Sequence, residues 1–252
     1  MNLLKDSYAS YVNLDHRRDR LVRMVDVLAK AEISATRTRG MLPAEYKGPP
    51  AKIACMLSRP QKGAIGCYFS QLSIMEEALR QDKHAFVMED DLVFCRDFQK
   101  RIAHMSEFCE THPWDVLWLG GTFHVGPPWW HKTTLGRDVE LTDDPRMVRA
   151  YGAFSTHAYI VNKASIAKIL KEHDAILPAS MGIDWSFIQM EPRLFTYTFV
   201  PGCVIQIDNQ SDIGTGMTIF SGFKKLGPYW YQENMEDFNP AKFDWKEANT
   251  RI

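Results

Sequence analysis

No stretch of this 252-residue chain approaches the roughly 18 uninterrupted apolar residues that read as a membrane span. The opening residues, Met1-Asn2-Leu3-Leu4-Lys5-Asp6-Ser7, hold no apolar core of signal-peptide length. A cytoplasmic protein is the expectation, with a peripheral membrane contact left open. An excess of one charge is missing too: 30 basic side chains face 31 acidic ones, a net charge of -1, and nothing in that balance points to nucleic acid as a partner. Patterned cysteine is absent. Cys55, Cys67, Cys95, Cys109 and Cys203 are odd in number and lack CxxC spacing, which indicates neither a disulfide framework nor a zinc site. Burial as small hydrophobes is expected for them. Internal repeats and low-complexity segments are also lacking.

What remains is an ordinary globular composition, with 45% hydrophobic and 24% charged residues, enough for one large domain or a domain with a small appendage. A strand is expected over Ser10–Leu14 and a helix over Arg18–Ala31, with Leu21, Met24, Val25 and Leu28 at helical spacing. Gly40, Pro43, Gly48, Pro49, Pro50 and Pro60 make 39–62 a long irregular connection. Helical periodicity returns over Ile65–Leu79 and Phe98–Glu110, and a buried strand fits Trp114–Leu119, ending at Gly120-Gly121. Gly121–Pro145 reads as a surface loop or lid. A strand at Ala158–Val161, a helix at Lys163–Lys171 and strands near Phe195–Val200 and Val204–Ile207 follow. Such alternation predicts an α/β sheet with helices on both faces, and ligands gather beyond the carboxyl ends of its strands.

The densest chemistry lies in Ala85-Phe86-Val87-Met88-Glu89-Asp90-Asp91-Leu92-Val93-Phe94, an apolar run broken by three carboxylates. On an extended chain Glu89 and Asp91 project together, with Asp90 opposed. Two carboxylates aimed one way repel unless a cation lies between them, and oxygen ligands suit Mg²⁺ or Mn²⁺. Acidic triplets also occur as plain solvated surface. Apolar flanks on both sides favour the metal-diphosphate reading, because a buried charge is costly unless paired or metal-bound.

Four segments, in order, resemble the family 25 glycosyltransferases, the group of lipooligosaccharide and procollagen galactosyltransferases. Tyr11-Val12-Asn13-Leu14-Asp15-His16-Arg17-Arg18-Asp19-Arg20 is similar to that family's opening strand and basic turn. Gly63-Ala64-Ile65-Gly66-Cys67-Tyr68-Phe69-Ser70-Gln71-Leu72 resembles its Gly-x-Ile-Gly-Cys-x-x-Ser-His-Leu helix start. Phe86-Val87-Met88-Glu89-Asp90-Asp91 resembles its acidic motif, and Ser155-Thr156-His157-Ala158-Tyr159 its Gly-Thr-x-Ala-Tyr segment. Gln71 stands where the family usually has His, and Ser155 where it has Gly. The resemblance implies an α/β, GT-A-like (Rossmann-like) mixed sheet flanked by helices in a single domain over 1–252. Within it, 8–119 would be the nucleotide-sugar half, 120–212 the acceptor and catalytic half, and 213–252 a C-terminal lid or tail. It further implies a UDP-hexose donor, a divalent cofactor (Mn²⁺ or Mg²⁺), inversion at the anomeric carbon, and a glycan or glycolipid acceptor such as a lipopolysaccharide precursor.

On that footing Asp91 is the first metal ligand, with Glu89 sharing the metal and Glu89 and Asp90 contacting the donor. Asn13 ends the first strand, where the nucleotide is expected. Arg17, Arg18 and Arg20 could grip its phosphates, or simply solvate a helix start where cations oppose the dipole. Asp184, within Gly182-Ile183-Asp184-Trp185, is the candidate base, with a helix N-cap as the alternative. Asp208, after a late strand, could complete the metal shell or belong to a turn. Trp129, Trp130 and His157 are acceptor candidates, against lid packing for the tryptophans and a structural role for the histidine. A nucleotidyl or phosphoryl transferase and an inactive sugar-nucleotide-binding module are the competing functions.

Overall fold

A computed structural model describes residues 1–59, 62–123, 139–150, 153–190, 193–199 and 202–206. The chain opens with β1 (Ser7–Asn13), α1 (Arg18–Lys30) and β2 (Thr36–Arg39), followed by α2 (Ala54–Ser58) and α3 (Gly63–Arg80). Next come β3 (His84–Glu89), β4 (Leu92–Phe94), α4 (Phe98–Thr111), β5 (Val116–Phe123), β6 (Val139–Leu141), β7 (Met147–Ala150) and β8 (Ala153–Val161). Helices α5 (Lys163–Ile176) and α6 (Ile183–Met190) and strands β9 (Thr196–Phe199) and β10 (Val204–Gln206) complete the described elements.

Among the described residues, eight strands form one mixed sheet in the order β2-β1-β3-β8-β5-β9-β7-β6, and β10 pairs with β4 in a separate ribbon. Both β2 and β3 run parallel to β1, whereas β8 is antiparallel to β3 and β5. Period-two alternation builds two cores. Ala85 and Val87 of β3 join Val116, Trp118 and Tyr159 in the core that holds side chains of α3, α5 and α6. Phe86 and Met88 join Leu117, Ile160 and side chains of α1 and α4 on the other face. Each fully buried Val, Leu, Ile, Phe or Met side chain among them contributes about 1.5–3 kcal/mol. This is the helix-flanked, Rossmann-like mixed sheet of a GT-A-like fold.

Several local expectations change. Helix α1 buries Arg20, Met24 and Leu28 and leaves Val25 63% exposed, so its inward face is turned from the one apolar spacing predicts. The cause is an inward anion, Asp90, which holds Arg20. Strand β2, with sequence TRTR, lies just before the expected connection, in a stretch for which no element is expected; the open edge of β1 supplies its backbone partners. Helix α2 falls in that same connection. Strand β5 runs through Gly120-Gly121 to Phe123, and β6 and β7 occupy or follow the expected lid. The acidic segment is not one strand: β3 stops at Glu89, Asp90 and Asp91 form a turn, and β4 leaves to meet β10.

Candidate active site

Chain order places the site. From β1 the chain goes to β2 on one side and returns to β3 on the other, so the strand order reverses between β1 and β3. In open α/β sheets the crevice beyond the carboxyl ends at such a reversal is where ligands bind. Asn13 ends β1 and Glu89 ends β3, and the parallel register pairs Glu89 with Val12, the residue before Asn13.

The acidic turn is strapped down from α1. Asp90, 5% exposed, accepts from Asn13 Nδ2 at 2.6 Å and from Arg20 Nη1 at 2.6 Å. Arg23 donates to the carbonyls of Asp90 at 2.7 Å and Leu92 at 2.9 Å. Removing one partner of a buried pair such as Arg20–Asp90 costs about 3–5 kcal/mol, because the other charge is left uncompensated. Asn13 is itself fixed, donating to the Arg17 carbonyl at 3.1 Å and accepting from Arg37 Nε at 2.9 Å.

Asp91 takes a second, longer contact from Arg20 at 3.4 Å and accepts from Gln206 Nε2 at 3.1 Å. Burial raises its pKa, and the Arg20 guanidinium offsets part of that rise. Glu89 keeps some exposure, but its carboxyl lies against the buried side chain of Gln71, whose Nε2 donates to Oε1 at 2.8 Å. Its pKa is also raised, first by burial and then by the negative charges of Asp91 and Asp90, with Asp184 adding to them. Gln71 in turn accepts from Tyr159 OH at 2.9 Å and contacts Thr156 Oγ1 at 3.2 Å. The Cys67 thiol, pushed well up by burial, lies 3.6 Å from Glu89.

Backbone clearances set these positions. A Cβ on Gly66 would strike the Met41 carbonyl, so that glycine lets α3 approach the 40–42 loop, where Met41 N donates to Ser70 Oγ at 2.8 Å. A Cβ on Gly120 would strike the Val204 carbonyl and the His157 ring. Gly120 therefore admits β10 and with it Gln206.

The structure thus gathers Asn13, Arg20, Glu89, Asp90 and Asp91. Asp184 lies in the first turn of α6, one residue inside the helix rather than at its cap, with Oδ1 accepting from Trp185 N at 2.8 Å. Its negative charge adds to the causes that raise the pKa of Glu89 and of Cys67. Arg17 pairs with Asp19 at 2.8 Å and Arg18 is exposed. His157 is 4% exposed, its Nε2 3.3 Å from the Val204 carbonyl. Trp129, Trp130, Asp208 and the 213–252 segment lie outside the described residues. Asp90 and Asp91 do not face opposite ways: the chain turns between strands, and Arg20 reaches both.

Sequence reasoning passes over Arg23, Arg37, Gln71 and Gln206 as site residues. Arg23 follows Arg20 by three and was findable once Arg20 is turned inward; no local signal marks the two glutamines, whose partners are distant in sequence. For a divalent cation the donor set fits. Among the described residues no three His, Cys, Asp or Glu side chains gather into a ready cage. Glu89 and Asp91 nevertheless converge on one amide nitrogen, and Mg²⁺ usually takes only one or two protein carboxylates.

The family model for glycosyltransferase family 25, described as an LPS biosynthesis protein, matches residues 10–124, which hold the second half of β1, the Gly-x-Ile-Gly-Cys helix start and the acidic turn. A Bos taurus protein named "Probable inactive glycosyltransferase 25 family member 3" is 30% identical over 112 residues, 43% of this chain and 17% of that protein. A Homo sapiens protein named "Inactive glycosyltransferase 25 family member 3" has the same identity and coverage. Homo sapiens "Procollagen galactosyltransferase 2" is 27% identical over 123 residues, 43% of this chain and 20% of that protein. The matched part thus spans a fifth or less of each relative's length.

Proposed function

On the premise of that family 25 glycosyltransferase match over residues 10–124, we propose that the chain is a metal-dependent, inverting hexosyltransferase acting on a UDP-sugar and a glycan or glycolipid acceptor. Galactose is the sugar of choice by family likeness. The observation that carries the reading is the convergence of Glu89, Asp90 and Asp91 with Asn13 at the reversal point of the sheet. Mn²⁺ or Mg²⁺ held by Asp91 and Glu89 would supply positive charge to the departing diphosphate. Asp90 and Asn13, locked by Arg20 and Arg37, form a rigid floor for the nucleotide. Arg17 and Arg18 lie just past β1 and offer guanidinium groups to phosphate. Asp184 takes the proton of the acceptor hydroxyl as that oxygen attacks the anomeric carbon from the face opposite UDP.

A second reading follows from the word "inactive" in the names of two relatives: a module that binds a sugar nucleotide without transferring it. UDP release from UDP-hexoses in Mn²⁺, in the presence of candidate acceptors, separates the two. Release that stops with EDTA supports the transferase; UDP binding with no release under any acceptor supports the module.

A further inference from the structure

Gln206 occupies the point where the acids meet. The β4–β10 register pairs it with Leu92, beside Asp91, and the hydrogen bond from Cys203 N to the Leu119 carbonyl at 2.7 Å anchors the strand to the main sheet. Its Nε2 lies 3.1 Å from each Asp91 carboxylate oxygen and 3.4 Å from Glu89 Oε2, so one neutral amide answers three carboxyl oxygens.

A second amide, that of Gln71, holds the other oxygen of Glu89, and the two differ in freedom. Gln71 cannot turn end over end: Tyr159 OH donates to its Oε1 while its Nε2 serves Glu89 and Thr156. Gln206 is exposed, and no described residue donates to its Oε1. The two ends of a carboxamide are nearly identical in shape, so the charge in front of them decides which one faces inward. Facing bare carboxylates, the nitrogen turns in. With a cation among those carboxylates the oxygen turns in, and Gln carbonyl oxygens are common ligands of hard divalent ions.

We propose that Gln206 is a third protein ligand of the divalent cation held by Glu89 and Asp91, through its carboxamide oxygen. The assignment rests on the metal-dependent reading above. It places a late-strand ligand two positions before Asp208.

The test is Mn²⁺ titration of the full chain by calorimetry, with and without UDP, on wild type, Gln206→Ala and Gln206→Glu. Loss of groups that only support a metal ligand costs about 10–100-fold in affinity, so Gln206→Ala should weaken Mn²⁺ binding at least tenfold. Gln206→Glu should bind at least as tightly as wild type; its melting temperature should fall in EDTA and recover in Mn²⁺. Exposure of Gln206 leaves the core untouched in both variants, and a normal circular dichroism spectrum verifies that. Equal or tighter Mn²⁺ binding by Gln206→Ala overturns the assignment and makes the amide a mere place-holder. If wild type itself binds no Mn²⁺ with or without UDP, the metal-dependent reading falls first and takes this one with it.

Discussion

Glu89 as metal ligand and Asp184 as general base have different work, and substitution separates them. As an acid whose folded-state pKa is raised, Glu89 contributes stability that is full below its ordinary 4.5 and is lost as pH rises through the folded value. Metal-free Glu89→Gln should therefore melt above wild type at pH 8 and level with it at pH 4. Mn²⁺ should reverse the order at pH 8, since only wild type keeps the ligand; thermal unfolding in EDTA and in Mn²⁺ reads both. A Glu89→Gln variant that melts below wild type in EDTA at pH 8 would contradict the raised pKa. Asp184→Asn keeps the shape of the first turn of α6 and loses about 0.3–1 kcal/mol of helix-dipole interaction at most. It should bind UDP and Mn²⁺ normally while transfer drops on the order of 10²–10⁴-fold, the usual worth of a general base. Undiminished transfer in a folded Asp184→Asn protein would remove Asp184 from that role.

At the scale of elements, the site depends on a ribbon leaving the main sheet. The β4–β10 pair presents Asp91 and Gln206 to each other, and Gly120 of β5 leaves the gap in which β10 lies. Gly120→Ala would push a methyl group into the Val204 carbonyl, a backbone atom that cannot swing aside. Overpacking of that kind costs about 1–3 kcal/mol, which at roughly 2–4 °C per kcal/mol for a chain of this size lowers the melting temperature by several degrees. Mn²⁺ affinity should fall with it as Gln206 shifts; a variant with wild-type melting and Mn²⁺ binding would show that β10 needs no such gap. Why some elements were legible and others not is visible here. Helix α3 carries a clear apolar period, and its bounds lie within two residues of Ile65–Leu79; β3 starts one residue before the apolar run Ala85–Phe94 but ends at Glu89, where the carboxylates turn the chain. By contrast, β2 is TRTR and β6 is three residues long, so their pairing comes from neighbouring edges rather than from their own composition. The inward face of α1 departs from its apolar spacing because periodicity counts an arginine as exposed, whereas Asp90, 70 residues on, neutralises it.

For the molecule as a whole, the mixed sheet and the acidic end of β3 were readable from alternation and from the family's motifs. The glutamines that hold the acids were not, since Gln71 reaches Glu89 across 18 residues and Gln206 reaches Asp91 across 115. A carboxylate site assembled from both halves of the chain predicts a function that none of its parts has alone. If these acids serve metal-dependent sugar transfer, release of UDP from UDP-galactose with an acceptor glycan present follows the reaction itself. Wild type in Mn²⁺ should release UDP, and EDTA should abolish the release. Asp91→Asn, folded but short of a charge aimed at the leaving group, should fall by about 10²–10³-fold. Release at the wild-type rate by Asp91→Asn, or by the native protein in EDTA, would contradict the account.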